Sequence, residues 1–192
     1  RALLAAGENR GLIPCGLAAR DSLRAGAVLP LSHQDIGPWP FANNPWLFAL
    51  PYDASGDRFT KDFIGAGALQ QVDNVPHTLP FAGFDLRKVA VEDSEVLPAP
   101  QAETIGSVLT CVTDMAIDRI DGRICSIAGA DAPPDFRPRG LCCGFVRVAT
   151  RLDPGQTVRL RDRRREIEVE IVSDIRPDRT ARKPLQRFLS HT

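Results

Sequence analysis

The sequence lacks almost everything that would steer a protein to a charged polymer or a bilayer. Lys plus Arg and Asp plus Glu both number 24, so the 192-residue chain carries no net charge. No long-range field would draw it to nucleic acid or to an anionic membrane surface. No apolar run approaches the roughly 20 residues a helix needs to cross a bilayer, and the amino end lacks the basic, apolar, small-residue order of a secretory signal. These absences predict a soluble, cytoplasmic protein with neither nucleic acid nor membrane as partner. Reaction motifs are missing too: there is no Gly-x-Ser-x-Gly, no Walker loop and no zinc-ligand spacing. His33, His77 and His191 stand apart, with no partner at metal-ligand or triad spacing. No metal set and no nucleophile is assigned on these grounds. An initiator methionine is also absent, and the opening RALLAAGENRG at Arg1 reads as a chain entered midway.

Cysteine is present without a framework. The five residues Cys15, Cys111, Cys125, Cys142 and Cys143 are odd in number and irregular in spacing, which suits free thiols in a reducing compartment. Cys142 and Cys143 are adjacent, and neighbours on a strand point to opposite faces. They are therefore read as small core thiols and not as a joint metal ligand.

Hydrophobic residues at 43% supply enough apolar surface for a core. The 16 prolines and 15 glycines fall mostly between apolar runs, which favours many short strands over long helices. RALLAAGENRG predicts a short helix ending near Gly7 to Gly11. A second helix is expected from Gly16 to Val28, with Leu17, Leu23 and Ala27 on one face, Arg20 and Arg24 a turn apart on another, and Asp21 able to pair with Arg24. Pro30 to Pro51 reads as an aromatic loop, Phe63 to Val72 as a weak helix or turn, and Phe81 to Val91 as the start of a strand. After residue 92 the period becomes two. Ser107–Thr113, Cys142–Ala149, Thr157–Arg161 and Glu166–Val172 alternate or carry short apolar runs, and Ile167, Val169 and Ile171 oppose Glu166, Glu168 and Glu170. The last two strands predict a hairpin turned by Arg161 to Arg165. Such a series implies a small closed or sandwich-like β domain, with the domain boundary near residues 85 to 100.

Three blocks then fall in a familiar order. GLIPCGLAARDSLR is followed by LPL and Asp35, then by DFIGAGAL at Asp62 to Leu69, then by GSVLT, LCCGFVRV and PGQTVRLRDRRREIEVEIV. This series resembles the carboxy-terminal half of the glycine-cleavage T-protein family, the aminomethyltransferases. Any single block is weak; three in order with matching spacing are specific. The resemblance implies an α+β chain: residues 1–92 as the remainder of a folate-binding α/β (ferredoxin-like) domain, and residues 93–192 as a small carboxy-terminal antiparallel β-barrel. It implies tetrahydrofolate as cofactor, aminomethyl transfer from a lipoyl-carrier protein as the activity of the longer parent, and an amino-terminal half of the same protein holding the catalytic acid. No catalytic residue is assigned within this chain. The family's pocket arginine falls on Arg20, whose planar, multi-donor guanidinium suits either a pterin edge or glutamyl carboxylates. Trp46 or Phe48 falls near the family's tryptophan and would wall the pocket.

The pattern also departs from the family. Gly26 stands where an acid is usual, Ser32 replaces an aromatic residue, and WPFANN replaces a Thr-Pro-x-Glu-Ala stretch. KDFIGAGA has no cysteine where the iron–sulfur-maintenance relatives carry Lys-Gly-Cys-Tyr-x-Gly-Gln-Glu, which favours the transferase branch. The alternatives are a non-catalytic folate-binding or protein-interaction module, and a folate-dependent demethylase on the same scaffold.

Overall fold

The computed structural model describes residues 1–37, 50, 53–55, 58–70, 76–98 and 103–176. The chain opens with helix α1, Ala2–Gly7, which continues into a 3₁₀ turn at Glu8–Arg10 and stops where Gly11 adopts φ 69°. Helix α2 spans Leu17–Gly26 and α3 spans Ala66–Gln70, so all three predicted helical stretches are present. The expected apolar face of α2 is not the one it buries. Leu17 and Leu23 are 73% and 56% exposed, whereas Arg24, Ala25 and Gly26 are buried. Among the described residues, the fully buried part of α2 is its last turn, so packing there outweighs amphipathic periodicity.

The end of α2 is sharply defined. The Leu29 amide donates to the Arg24 carbonyl at 2.8 Å and the Val28 amide to the Ala25 carbonyl at 2.9 Å. This pair of bonds closes a helix around a left-handed residue. Here that residue is Val28, with φ 56°. Glycine is usual at this position because a β-branched side chain is strained there. Val28 is 3% exposed, and its burial holds the conformation.

Strand β1 spans His77–Gly83, β2 Glu95–Pro98, β3 Gly106–Asp114, β4 Ile117–Ile120, β5 Arg123–Ser126, β6 Leu141–Val148, β7 Thr157–Arg161 and β8 Glu166–Ile171. Six of them form a closed antiparallel barrel in the order β1, β6, β3, β2, β7, β8. It closes where β8 pairs with β1, Ile171 lying opposite Phe81. This selects the closed form of the predicted β domain, and the β7–β8 hairpin stands where the alternation put it. Strand β1 runs from His77 to Gly83, four residues ahead of its predicted start and ending well before Val91. Pro80 lies inside it, opposite Phe145, and proline masks a strand in a sequence because it cannot donate to a ladder. Strand β1 is thus a barrel stave, paired on both edges.

Alternation on the strands builds two apolar layers. Phe81, Val96, Val108, Cys142, Val146, Leu160, Val169 and Ile171 fill the barrel interior. Ala82, Leu109, Leu141, Cys143 and Phe145 face outward and are covered by Ala25 of α2 and by Val28 just after it, together with Ile117, Val172 and Ile175. Cys142 and Cys143 thus enter different layers, as adjacent strand residues must. Strands β4 and β5 form a separate hairpin turned by Asp121 and Gly122, both with positive φ. Arg119 fastens it to the barrel, donating to the Gly83 carbonyl at 3.1 Å, pairing with Glu170 at 2.6 Å and lying 4.6 Å from the centre of the Phe84 ring.

Candidate ligand-binding site on helix α2

The two arginines predicted to stack on α2 have opposite fates. Arg24 is 8% exposed and all its directions are occupied. Its Nε donates to Asp21 Oδ1 at 2.8 Å, Nη1 to Asp35 Oδ2 at 2.5 Å, and Nη2 to Thr110 Oγ1 at 3.1 Å. The predicted Asp21–Arg24 pair is therefore present, as the near edge of a larger network. Asp35 is fully buried. It accepts at Oδ2 from the Leu31 amide at 2.8 Å and at Oδ1 from the Thr110 hydroxyl at 2.7 Å. Thr110 Oγ1 also accepts from Gln34 Nε2 at 3.0 Å. A buried charge pair is tolerable only when its remaining donors and acceptors are satisfied, and here they are. The network ties α2, the segment after it and β3 into one unit.

Thr110 reaches this network because β3 carries a bulge. Val108 lies opposite Val146, and Thr110 lies opposite Phe145, so Leu109 is the extra residue. A bulge moves the following side chains to the other face. Without it Thr110 would point into the barrel. Neither Thr110 nor Gln34 carries any local signal in the sequence; Asp35 stands out there only as part of the motif.

Arg20, one turn before Arg24, is exposed. Among the described residues its guanidinium has no hydrogen bond or ion pair. It borders an open cleft of about 420 Å³ whose apolar wall is made by Ala19, Leu23 and Leu29, with Cys15 and Gly16 at the helix entrance. That volume lies within the usual range for small-ligand sites. A larger cleft of about 520 Å³ lies at the β7–β8 turn, lined by the charged residues Lys88, Asp93 and Asp162–Arg165. It has less apolar wall for a flat heterocycle. Trp46 and Phe48 lie outside the described residues, as does His191. His33 is exposed, its Nδ1 2.7 Å from Ser32 Oγ, and His77 begins β1.

A second buried network explains one departure noted above. Arg176 donates from Nη1 to Asp114 Oδ2 at 3.3 Å and from Nη2 to Ser126 Oγ at 3.1 Å, while its amide donates to the Gly26 carbonyl at 2.8 Å. A Cβ at Gly26 would stand 2.8 Å from both Arg176 Cδ and Asp114 Oδ2. An acidic side chain has no room there, and its charge would face Asp114.

The architecture has a counterpart among solved structures. The glycine cleavage system aminomethyltransferase T from Bartonella henselae matches with a TM-score of 0.58 at 21% identity, over 93% of this chain and 43% of that one. At that identity the likeness establishes the fold. Sequence likeness carries the relationship further. An aminomethyltransferase from Symbiobacterium thermophilum is 35% identical over 109 residues, which are 57% of this chain and 28% of the relative. One from Shouchella clausii is 64% identical over 36 residues, 19% of this chain and 10% of the relative. In sequence the chain is similar to aminomethyltransferases, and in fold to one of them. No family model matches it, and it spans less than a third of the length of these curated aminomethyltransferases. The residues identified by resemblance and those found by geometry meet on α2, where Arg24 is locked and Arg20 has no hydrogen bond or ion pair among the described residues.

Proposed function

We propose that this chain contributes one wall of a tetrahydrofolate site serving aminomethyl transfer of the glycine-cleavage type. The observation that carries the reading is the contrast on α2: Arg24 is held by Asp21, Asp35 and Thr110, while Arg20 projects beside an apolar cleft. The locked turn fixes the base from which the Arg20 guanidinium projects, and such preorganisation lowers the ordering cost of binding. The residues fit the cofactor chemically. A folate presents a flat heterocycle and carboxylates, which call for an apolar wall and a cation with directed donors.

When bound, tetrahydrofolate accepts the one-carbon unit. The residues of this chain bind and orient it: Arg20 directs polar contacts, Leu23 and Leu29 exclude water from one side, and Trp46 supplies a stacking surface. The acid–base step and contact with a lipoyl-carrier protein belong to a longer, cytoplasmic parent carrying an amino-terminal half. Titration with tetrahydrofolate, followed by protein fluorescence and calorimetry, tests the reading on the chain and its Arg20→Ala variant. Loss of a charge-assisted contact worth roughly 1.5–3 kcal/mol weakens binding by about one to two orders of magnitude. Equal affinities for the two proteins would remove Arg20 from the site, and absence of binding to the unsubstituted chain would leave the non-catalytic interaction module as the better reading.

A further inference from the structure

A third cleft, of about 370 Å³, opens between the segment leaving β1 and the segment entering β6, and it shares no lining residue with the cleft at Arg20. The Cys142 amide fastens the two segments by donating to the Asp85 carbonyl at 2.6 Å. Each segment carries an arginine held in the same way. The Asp85 carboxylate accepts from the Arg87 amide and from Arg87 Nε, both at 2.7 Å. Asp118 Oδ2 accepts from the Arg139 amide and from Arg139 Nε, both at 3.0 Å. In both cases the acid restrains the stem of the arginine. Nη1 and Nη2 of Arg87 and Arg139 have no hydrogen bond or ion pair among the described residues. The acids themselves are engaged, since Asp118 Oδ1 also accepts from the Arg119 amide at 2.8 Å. What the charged groups of this cleft still offer a ligand is therefore donors.

Apolar side chains supply the rest of the lining. Phe84 and Leu86 line the cleft and remain 45% and 40% exposed, and Met115, close by, is 59% exposed. A Cβ at Gly140 would stand 2.7 Å from Leu86 Cδ2 and 2.9 Å from Met115 Sδ, so these two side chains meet over the glycine. The Phe84 ring is steadied by the Arg119 guanidinium, 4.6 Å from its centre. An exposed apolar patch rimmed by polar groups marks a place where something binds, and the cleft has the volume of a small-molecule site.

We propose that this cleft binds a small organic acid, a carboxylate carried on an apolar body. Arg87 and Arg139 take the carboxylate with their Nη donors, and Phe84 and Leu86 cover the apolar part. A guanidinium fork matches the two oxygens of a carboxylate and discriminates by direction as well as by charge. Direction matters here because the two arginines and the two aspartates cancel in net charge, leaving little long-range attraction. The acid is consequently favoured over the matching amide, which places an N–H₂ where the forks need an acceptor.

The test is titration of the ¹⁵N-labelled chain with 3-phenylpropionate and with 3-phenylpropionamide, followed by amide shifts. The expected result is saturable shifts at Arg87 and Gly140 with the acid, and binding of the amide weaker by about tenfold or more. Arg87→Gln and Arg139→Gln, which alter exposed side chains and leave amide positions elsewhere unchanged, each weaken the acid by roughly ten- to a hundredfold. Phe84→Ala weakens acid and amide alike. Equal affinities for acid and amide, full affinity in both glutamine variants, or no saturable shift at Arg87 and Gly140 would overturn the proposal. Loss of 3-phenylpropionate binding in Arg20→Ala would place the acid in the cleft on α2 and overturn it as well. Tetrahydrofolate binding at Arg20 stands or falls separately, because neither glutamine substitution touches that cleft.

Discussion

The Thr110 hydroxyl makes three hydrogen bonds, donating to Asp35 and accepting from Arg24 and Gln34. That is the full capacity of a hydroxyl. Thr110→Val keeps the shape of the side chain and removes all three, leaving an Arg24 nitrogen and an Asp35 oxygen short of a partner inside the protein. A loss of roughly 1–3 kcal/mol in unfolding free energy is expected, read as a lower urea midpoint at unchanged slope, with Thr110→Ser recovering most of it. An unchanged midpoint in Thr110→Val would mean that the network does not hold α2 to the barrel. The same residue shows where sequence reading stops. Asp21 and Arg24 are three apart on a helix, so their pairing is legible. The partnership of Asp35 with Thr110 spans 75 positions and depends on the bulge at Leu109, which strict alternation hides by sending Thr110 inward.

Elements were legible in proportion to how local their causes are. The β7–β8 hairpin follows from alternation and a turn in which Asp162 Oδ1 accepts from the amides of Arg164 and Arg165. The β4–β5 hairpin had a signal that the strand reading passed over: Asp121-Gly122 between apolar residues is a strong two-residue turn. Strand β1 was displaced because Pro80 breaks its pattern, and it is held by pairing on both edges with β6 and β8. Its first residue gives the stave a pH dependence. Burial, joined by the nearby charge of Arg151, lowers the His77 pKa below 6.5. The folded state therefore keeps the imidazole neutral while the unfolded chain takes up a proton near the ordinary value. Stability from this source is complete above that value. It falls as pH drops below 6.5 and levels off once pH passes the folded-state pKa. His77→Gln should remove that part of the slope, measured as the difference in urea midpoint between about pH 5 and about pH 7.5, where histidines are the side chains that ordinarily titrate. A variant with the same difference as the unsubstituted protein would show that His77 is equally hydrated in both states.

At the scale of the whole molecule, apolar residues are divided unevenly between two kinds of place. The barrel's inner and outer layers enclose Phe81 and Phe145 completely, whereas Leu3, Leu4, Leu12, Ile13, Leu17 and Leu23 of the helical stretch are exposed. Composition alone gives both groups to a core, and periodicity gave Leu17 and Leu23 a buried face; only the closed pairing of β8 with β1 decides which residues the core contains. Stability should follow that division. Phe145→Ala opens a cavity beneath α2 and is expected to cost about 3–5 kcal/mol. Leu17→Ala removes a side chain that touches solvent and should change unfolding free energy by less than about 0.5 kcal/mol. Urea unfolding at two protein concentrations separates these effects from association. A large, concentration-dependent loss for Leu17→Ala would mean that copies of the chain bury the α2 face against one another, and the Arg20 cleft would then lie inside that contact instead of open to a ligand.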